Sequence, residues 1–106
     1  MNALELAWSY VLDYENDANP FPERRAAITG WKELAVRDVD ESARVLDLQL
    51  QYEAFGLKPA DRLHLACAVV AGCEVFLTTD DGILRTRERV AEIRILDPAA
   101  FVREMD

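Results

Sequence analysis

The chain is poor in the residues from which several kinds of site are built. It holds one histidine, two cysteines and four glycines. A single histidine, His64, leaves no material for a histidine triad or a histidine-rich metal centre. Cys67 and Cys73 stand in apolar surroundings, and their spacing matches no zinc motif. They read as reduced core residues of a cytoplasmic protein. No glycine-rich phosphate loop and no nucleophile motif is visible. No apolar run approaches the ~18 residues of a membrane span. Met1-Asn2-Ala3-Leu4-Glu5 lacks the basic start of a secretory leader. Basic residues are also short: 12 Lys and Arg stand against 20 Asp and Glu, a net charge of -8. Such a surface favours solubility and repels phosphate backbones and anionic membranes. A nucleic-acid role therefore requires a divalent cation or a basic partner at the contact.

What is present is a globular mixture. Apolar residues make up 51% and charged residues 30%, enough for one folded domain, residues 1–106, with a small core. Leu4, Ala7, Trp8, Val11 and Leu12 share helical spacing, which predicts a helix from Asn2 to about Ala18. Asn19-Pro20-Phe21-Pro22 ends it, and a second helix follows from about Pro22 to Glu33. Leu34–Val39 reads as a short strand. Asp40 is placed to cap a third helix running to Phe55, with Gly56 as its stop. Pro59 opens a fourth helix, apolar almost all round from Leu63 to Val70 and hence buried. Val75–Thr78 and Ile93–Leu96 read as buried parallel strands. A polar helix is expected over about Gly82–Val90, and a last one after Asp97-Pro98. Strands separated by helices imply a helix-rich α/β architecture with a small parallel sheet. Ligands of such sheets lie beyond the strand carboxyl ends, at Thr78-Thr79-Asp80-Asp81 here.

Four acids stand out. Asp80 and Asp81 follow a buried strand and open a helix. One can serve as the cap, and the tandem leaves a second carboxylate free for a ligand. Asp61 sits in the first turn of the buried helix, where it complements the helix dipole. It shares a face with His64, Leu65, Ala68 and Gly72, small enough in part for close approach to the sheet. Glu15 continues the stripe of Leu4, Trp8 and Val11, so its carboxylate is expected half-buried and paired or coordinated. Three acids at element ends suit Mg²⁺ or Mn²⁺, hard ions that take oxygen ligands and retain waters; a snorkelling Glu15 and simple caps are the competing reading. His64 reads as a packed helix residue, Asp97 as a cap, and Trp8, Trp31 and Phe21 as core. Arg85, Arg87 and Arg89 form either a solvated face or a phosphate contact.

The run from Leu57 to Ala68, with Asp61-Arg62-Leu63-His64-Leu65-Ala66-Cys67-Ala68 at its centre, resembles the PIN-domain block D-x-L-H-L-A-x-A. Gly72 to Asp81 resembles the family's next block, and Ile95 to Phe101 its closing strand and helix. Trp8 to Asn16 resembles the helix that bears the family's glutamate. PIN domains are metal-dependent nucleases, many of them ribonuclease toxins of toxin–antitoxin pairs. The resemblance implies a three-layer sandwich and Glu15, Asp61 and Asp80 as catalytic metal-site acids, with Asp81 as a neighbouring ligand. Mg²⁺ or Mn²⁺ is the implied cofactor and RNA the implied substrate. The family's opening strand and its Asp have no counterpart in this reading, and that strand lies in the centre of the family's sheet. The isolated chain is therefore expected to be a weak or silent nuclease. It is expected to act as a homodimer, or with a complementing chain that supplies the strand, and to be held by an antitoxin protein. The alternative is a catalytically silent PIN-derived module that binds protein or RNA.

Overall fold

A computed structural model describes residues 6–105. In chain order the elements are β1 (Leu6–Ser9), α1 (Tyr10–Asp17), α2 (Pro22–Lys32), β2 (Ala35–Val39), α3 (Ala43–Tyr52), α4 (Pro59–Val70), β3 (Val75–Leu77), α5 (Asp81–Leu84), β4 (Arg94–Leu96) and α6 (Pro98–Met105). The α/β architecture expected from the sequence is present. Both strand pairs are parallel: β1 with β2, and β3 with β4 in the register Val75↔Arg94, Phe76↔Ile95, Leu77↔Leu96.

One long helix from Asn2 to Ala18 is not found. Residues 1–5 lie outside the described residues, and Leu6–Ser9 is a strand. Its spacing is compatible with a helix, but pairing with Ala35–Val39 satisfies its backbone, and Trp8 is 4% exposed. Ser9 then caps α1 by accepting the Leu12 N–H. Ser42, not Asp40, caps α3, because its hydroxyl reaches the Val45 N–H at 3.2 Å. The polar helix expected to reach Val90 ends at Leu84. Beyond it the chain continues in turns pinned by buried Thr86, whose hydroxyl donates to the Ile83 carbonyl at 2.7 Å.

The core gathers Val11 of α1, Val45 and Tyr52 of α3, Leu65, Ala66 and Cys67 of α4, and Ile83, Val90, Ile93 and Ile95. Burial at Cys67 pushes its thiol pKa up to about 11, and both cysteines are free. Trp31 and Phe21, expected in the core, are 61% and 54% exposed. They belong to α2 and its entry, a helix without a buried residue.

The two faces of β2 meet different partners. Alternate β2 side chains face opposite ways. On one face Asp38 lies near Lys32 of α2. On the other, Arg37 donates to the Ala71 carbonyl at the end of α4 and Val39 packs on the core. The guanidinium passes over Gly72, whose φ is +77° and whose absent Cβ would meet Arg37 Nη1 at 3.0 Å. Any other residue there would be strained and would push that contact away. Among the described residues the two strand pairs form separate sheets.

Candidate metal-site acids

The chain leaves β3 through a turn that fixes Asp80. Thr78 N–H still reaches Leu96 O at 3.1 Å, and Thr78 Oγ1 accepts from Asp80 N–H at 3.0 Å. Asp80 Oδ1 then accepts the Ile83 N–H at 3.0 Å, so Asp80 is the cap of α5. Asp81 occupies the first turn of that helix and is exposed. The sequence left the cap to either aspartate. The structure assigns it to Asp80 and leaves the Asp81 carboxylate in solvent.

Asp61 stands in the first turn of α4 and is partly exposed. Pro59 starts the helix without needing an N–H. Arg62, next to it, donates to Gln49 Oε1 and to Leu57 O, which ties the turn to α3. No hydrogen bond or ion pair engages the Asp61 carboxylate among the described residues.

Glu15 lies on α1 with its side chain 49% exposed, and its Oε1 is 2.6 Å from His64 Nε2. The expected partner thus exists. It is His64, one helical turn after Asp61 and on the same face of α4. The apolar stripe invoked for Glu15 does not persist, since Trp8 belongs to β1. His64 is 16% exposed at its side chain, in keeping with a packed helix residue. Its role as the Glu15 partner was missed; the one signal was the three-residue spacing from Asp61.

Sequence reasoning also missed a polar network beside the first sheet. Asp13 accepts from Trp8 Nε1 at 2.9 Å and from Lys32 Nζ at 2.9 and 3.1 Å. The hydrogen bonds from Lys32 and then Trp8 hold its carboxyl below the ordinary range. This network joins α1 and α2 to the sheet.

The structure therefore seats Glu15 on α4, the helix of Asp61, and places Asp80 and Asp81 at the β3–α5 junction. In kind, these carboxylate oxygens suit a hard divalent cation. In number they fall short: among the described residues no three His, Cys, Asp or Glu side chains stand together as a metal shell. Glu15 and Asp80 each have one oxygen committed to a protein partner.

A family profile described as PIN domain matches residues 1–89. That span includes all four acids; the closing block from Ile95 lies beyond it. No curated protein sequence matches the chain. PIN domains are generally divalent-metal-dependent nucleases, and the parallel strands and interleaved helices described above are of that nuclease type. Because the match covers most of its length, the chain belongs to the PIN domain family.

Proposed function

We propose that this chain is a metal-dependent PIN-type ribonuclease that needs a second chain for activity. Glu15, Asp61 and Asp80 are its metal-site acids and Asp81 is their neighbour. The observation that carries the reading is the Glu15–His64 contact, which brings the α1 carboxylate onto the helix of the D-x-L-H-L-A-x-A block. Mg²⁺ or Mn²⁺ is the cation these donors suit. When bound, it supplies a water of lowered pKa and stabilises charge at the scissile phosphate. The protein's part is to hold and orient. Asp61 offers a carboxylate with no protein partner among the described residues. Asp80 and Glu15 each offer their second oxygen, the first being held by Ile83 N–H and by His64.

Completion comes from a second copy or from a chain supplying a strand. A toxin role fits this reading, with RNA as target, an antitoxin protein as its restraint and the cytoplasm as its place. The rival is a catalytically silent interaction module. What favours the rival is the lack of a three-ligand group among the described residues.

Mn²⁺ binding and cleavage of a labelled single-stranded RNA pool, measured on the pure chain, test the proposal. The expected result is measurable Mn²⁺ binding that weakens in Asp61→Asn and Asp80→Asn, with slow cleavage. No Mn²⁺ binding and no difference among the three proteins would leave the silent module standing. Fast cleavage by the pure chain, abolished in Asp80→Asn, would keep the nuclease and remove the need for completion.

A further inference from the structure

The arginines after α5 are not used by the reading above. Residues 82–91 hold Arg85, Arg87 and Arg89 against one acid, Glu88, in a chain of net charge -8. All three are exposed. Their backbone is fixed from inside: Thr86 and Val90 are 3% exposed, and a series of turns runs from Arg85 N–H→Asp81 O to Val90 N–H→Thr86 O, at 3.0 and 3.1 Å. A firmly held segment thus presents guanidinium groups to solvent.

Arg85 and Arg87 line a shallow depression of about 390 Å³ together with Asp81, Leu84 and Glu88. Asp81 and Glu88 border it, yet among the described residues no ion pair or hydrogen bond engages either arginine side chain. Asp81 precedes Arg85 by four residues, the spacing at which a helical acid–base pair forms, and the pair is not made. Arg89 is turned aside, with its guanidinium 6.0 Å from the centre of the Phe55 ring. Two unpaired planar donors therefore flank the junction that carries Asp80 and Asp81. Guanidinium is the group best shaped for two-point contact with phosphate.

We propose that Arg85 and Arg87 form a contact for the phosphodiester backbone of a single-stranded RNA, seating the strand beside Asp80–Asp81. This rests on the nuclease reading and adds the surface that binds the substrate. The contact is to phosphate, so it is indifferent to base sequence and accepts single-stranded DNA of equal length. It offsets locally the repulsion that the acidic chain exerts on a polyanion.

The test is fluorescence anisotropy of a labelled 12-nucleotide single-stranded RNA with the full chain in EDTA. It compares wild type, Arg85→Ala/Arg87→Ala, Arg85→Lys/Arg87→Lys and the control Arg24→Ala/Arg25→Ala on α2. Two lost phosphate contacts should lower the slope of log K against log salt by about 1.4 and weaken binding about tenfold or more at low salt. The lysine pair keeps the charge but not the two-point contact, so it should keep most of the salt slope and bind between wild type and the alanine pair, and the α2 control should be unchanged. Circular dichroism monitors folding, and the lysine pair retains the charge if the alanine pair does not fold. Binding by wild type that survives in the alanine pair, or falls equally in the control, overturns the proposal while leaving the nuclease reading intact. No RNA binding by wild type overturns the proposal, and if the separate titration also shows no Mn²⁺ binding by wild type, the nuclease reading falls with it. Binding of poly-glutamate but not of RNA would assign the patch to an acidic protein partner instead, and overturns it too.

Discussion

Asp13 has the densest set of partners among the acids of α1, and a pH dependence follows from it. Its carboxyl is held below the ordinary value of 3.8, first by Lys32 and then by Trp8. A depressed folded pKa means that the contribution is complete above the ordinary carboxylate range. It is lost as pH falls through the folded value. The Asp13 side chain is 39% exposed, so solvent screens the effect and it is modest. Thermal denaturation between pH 6 and pH 2.5 should show a smaller acid-induced fall in Tm for Asp13→Asn than for wild type. Equal falls would mean that the network contributes nothing in solution. Asp80 makes a second case. Asp80→Ala should cost about 1 kcal/mol through loss of the α5 cap, and Asp80→Asn much less, because Asn caps equally well. Urea denaturation of the two variants checks this, and identical midpoints would refute the cap. Asn is therefore the substitution that separates charge from fold at this position. Asp80 was legible in the sequence because a buried strand, an acid and a helix start follow one another locally. Asp13 was not, because Lys32, its main partner, is a helix away.

At the scale of elements, α2 stands apart. It has 11 residues and none is buried. Isolated helices of fewer than ~12–15 residues are marginal in water. Its polar ties to α1 among the described residues are few: Asn16 Nδ2 donates to Thr29 Oγ1 and to Arg25 O, each at 3.2 Å, and Lys32 meets Asp13. In α4, by contrast, Leu65, Ala66 and Cys67 are buried. Hydrogen exchange should release α2 amides far sooner than those at the centre of α4. Comparable protection would show that α2 is covered in solution by something else. The sequence located α2 to within a residue because Pro22 opens it. It also made Trp31 a core residue, since an aromatic in a helix carries no mark of which side will be covered.

For the whole molecule, each of the four described strands has a single strand neighbour. Each pair thus presents an unpaired edge on both sides, a template for further pairing. Leu77, at the end of β3, is 47% exposed, and Val36, within β2, is 60% exposed. The proposal of completion by a second chain then predicts that the pure protein sediments above its 12.0 kDa monomer mass at micromolar concentration. A stable monomer would leave completion to a chain absent from the preparation, and addition of no partner would raise activity if the proposal is wrong at its root.

The sequence by itself determined whatever rests on neighbours in the chain. A cap within the Asp80–Asp81 pair, the stop at Gly56, the buried run of α4 and the parallel strands near Val75 and Arg94 all follow from local spacing, capping and apolar runs. So does membership of the family, because the D-x-L-H-L-A-x-A block is contiguous. Tertiary structure decided what local preference leaves balanced. Leu6–Ser9 fits a helical stripe as well as a strand, and only pairing with Ala35–Val39 makes it β. Glu15 had no visible partner until α1 lay on α4 and put His64 against it. Trp8 and Trp31 are the same residue type in similar settings, yet one is buried and the other is not. Burial depends on which elements come to lie over a side chain, and separation along the chain does not contain that information.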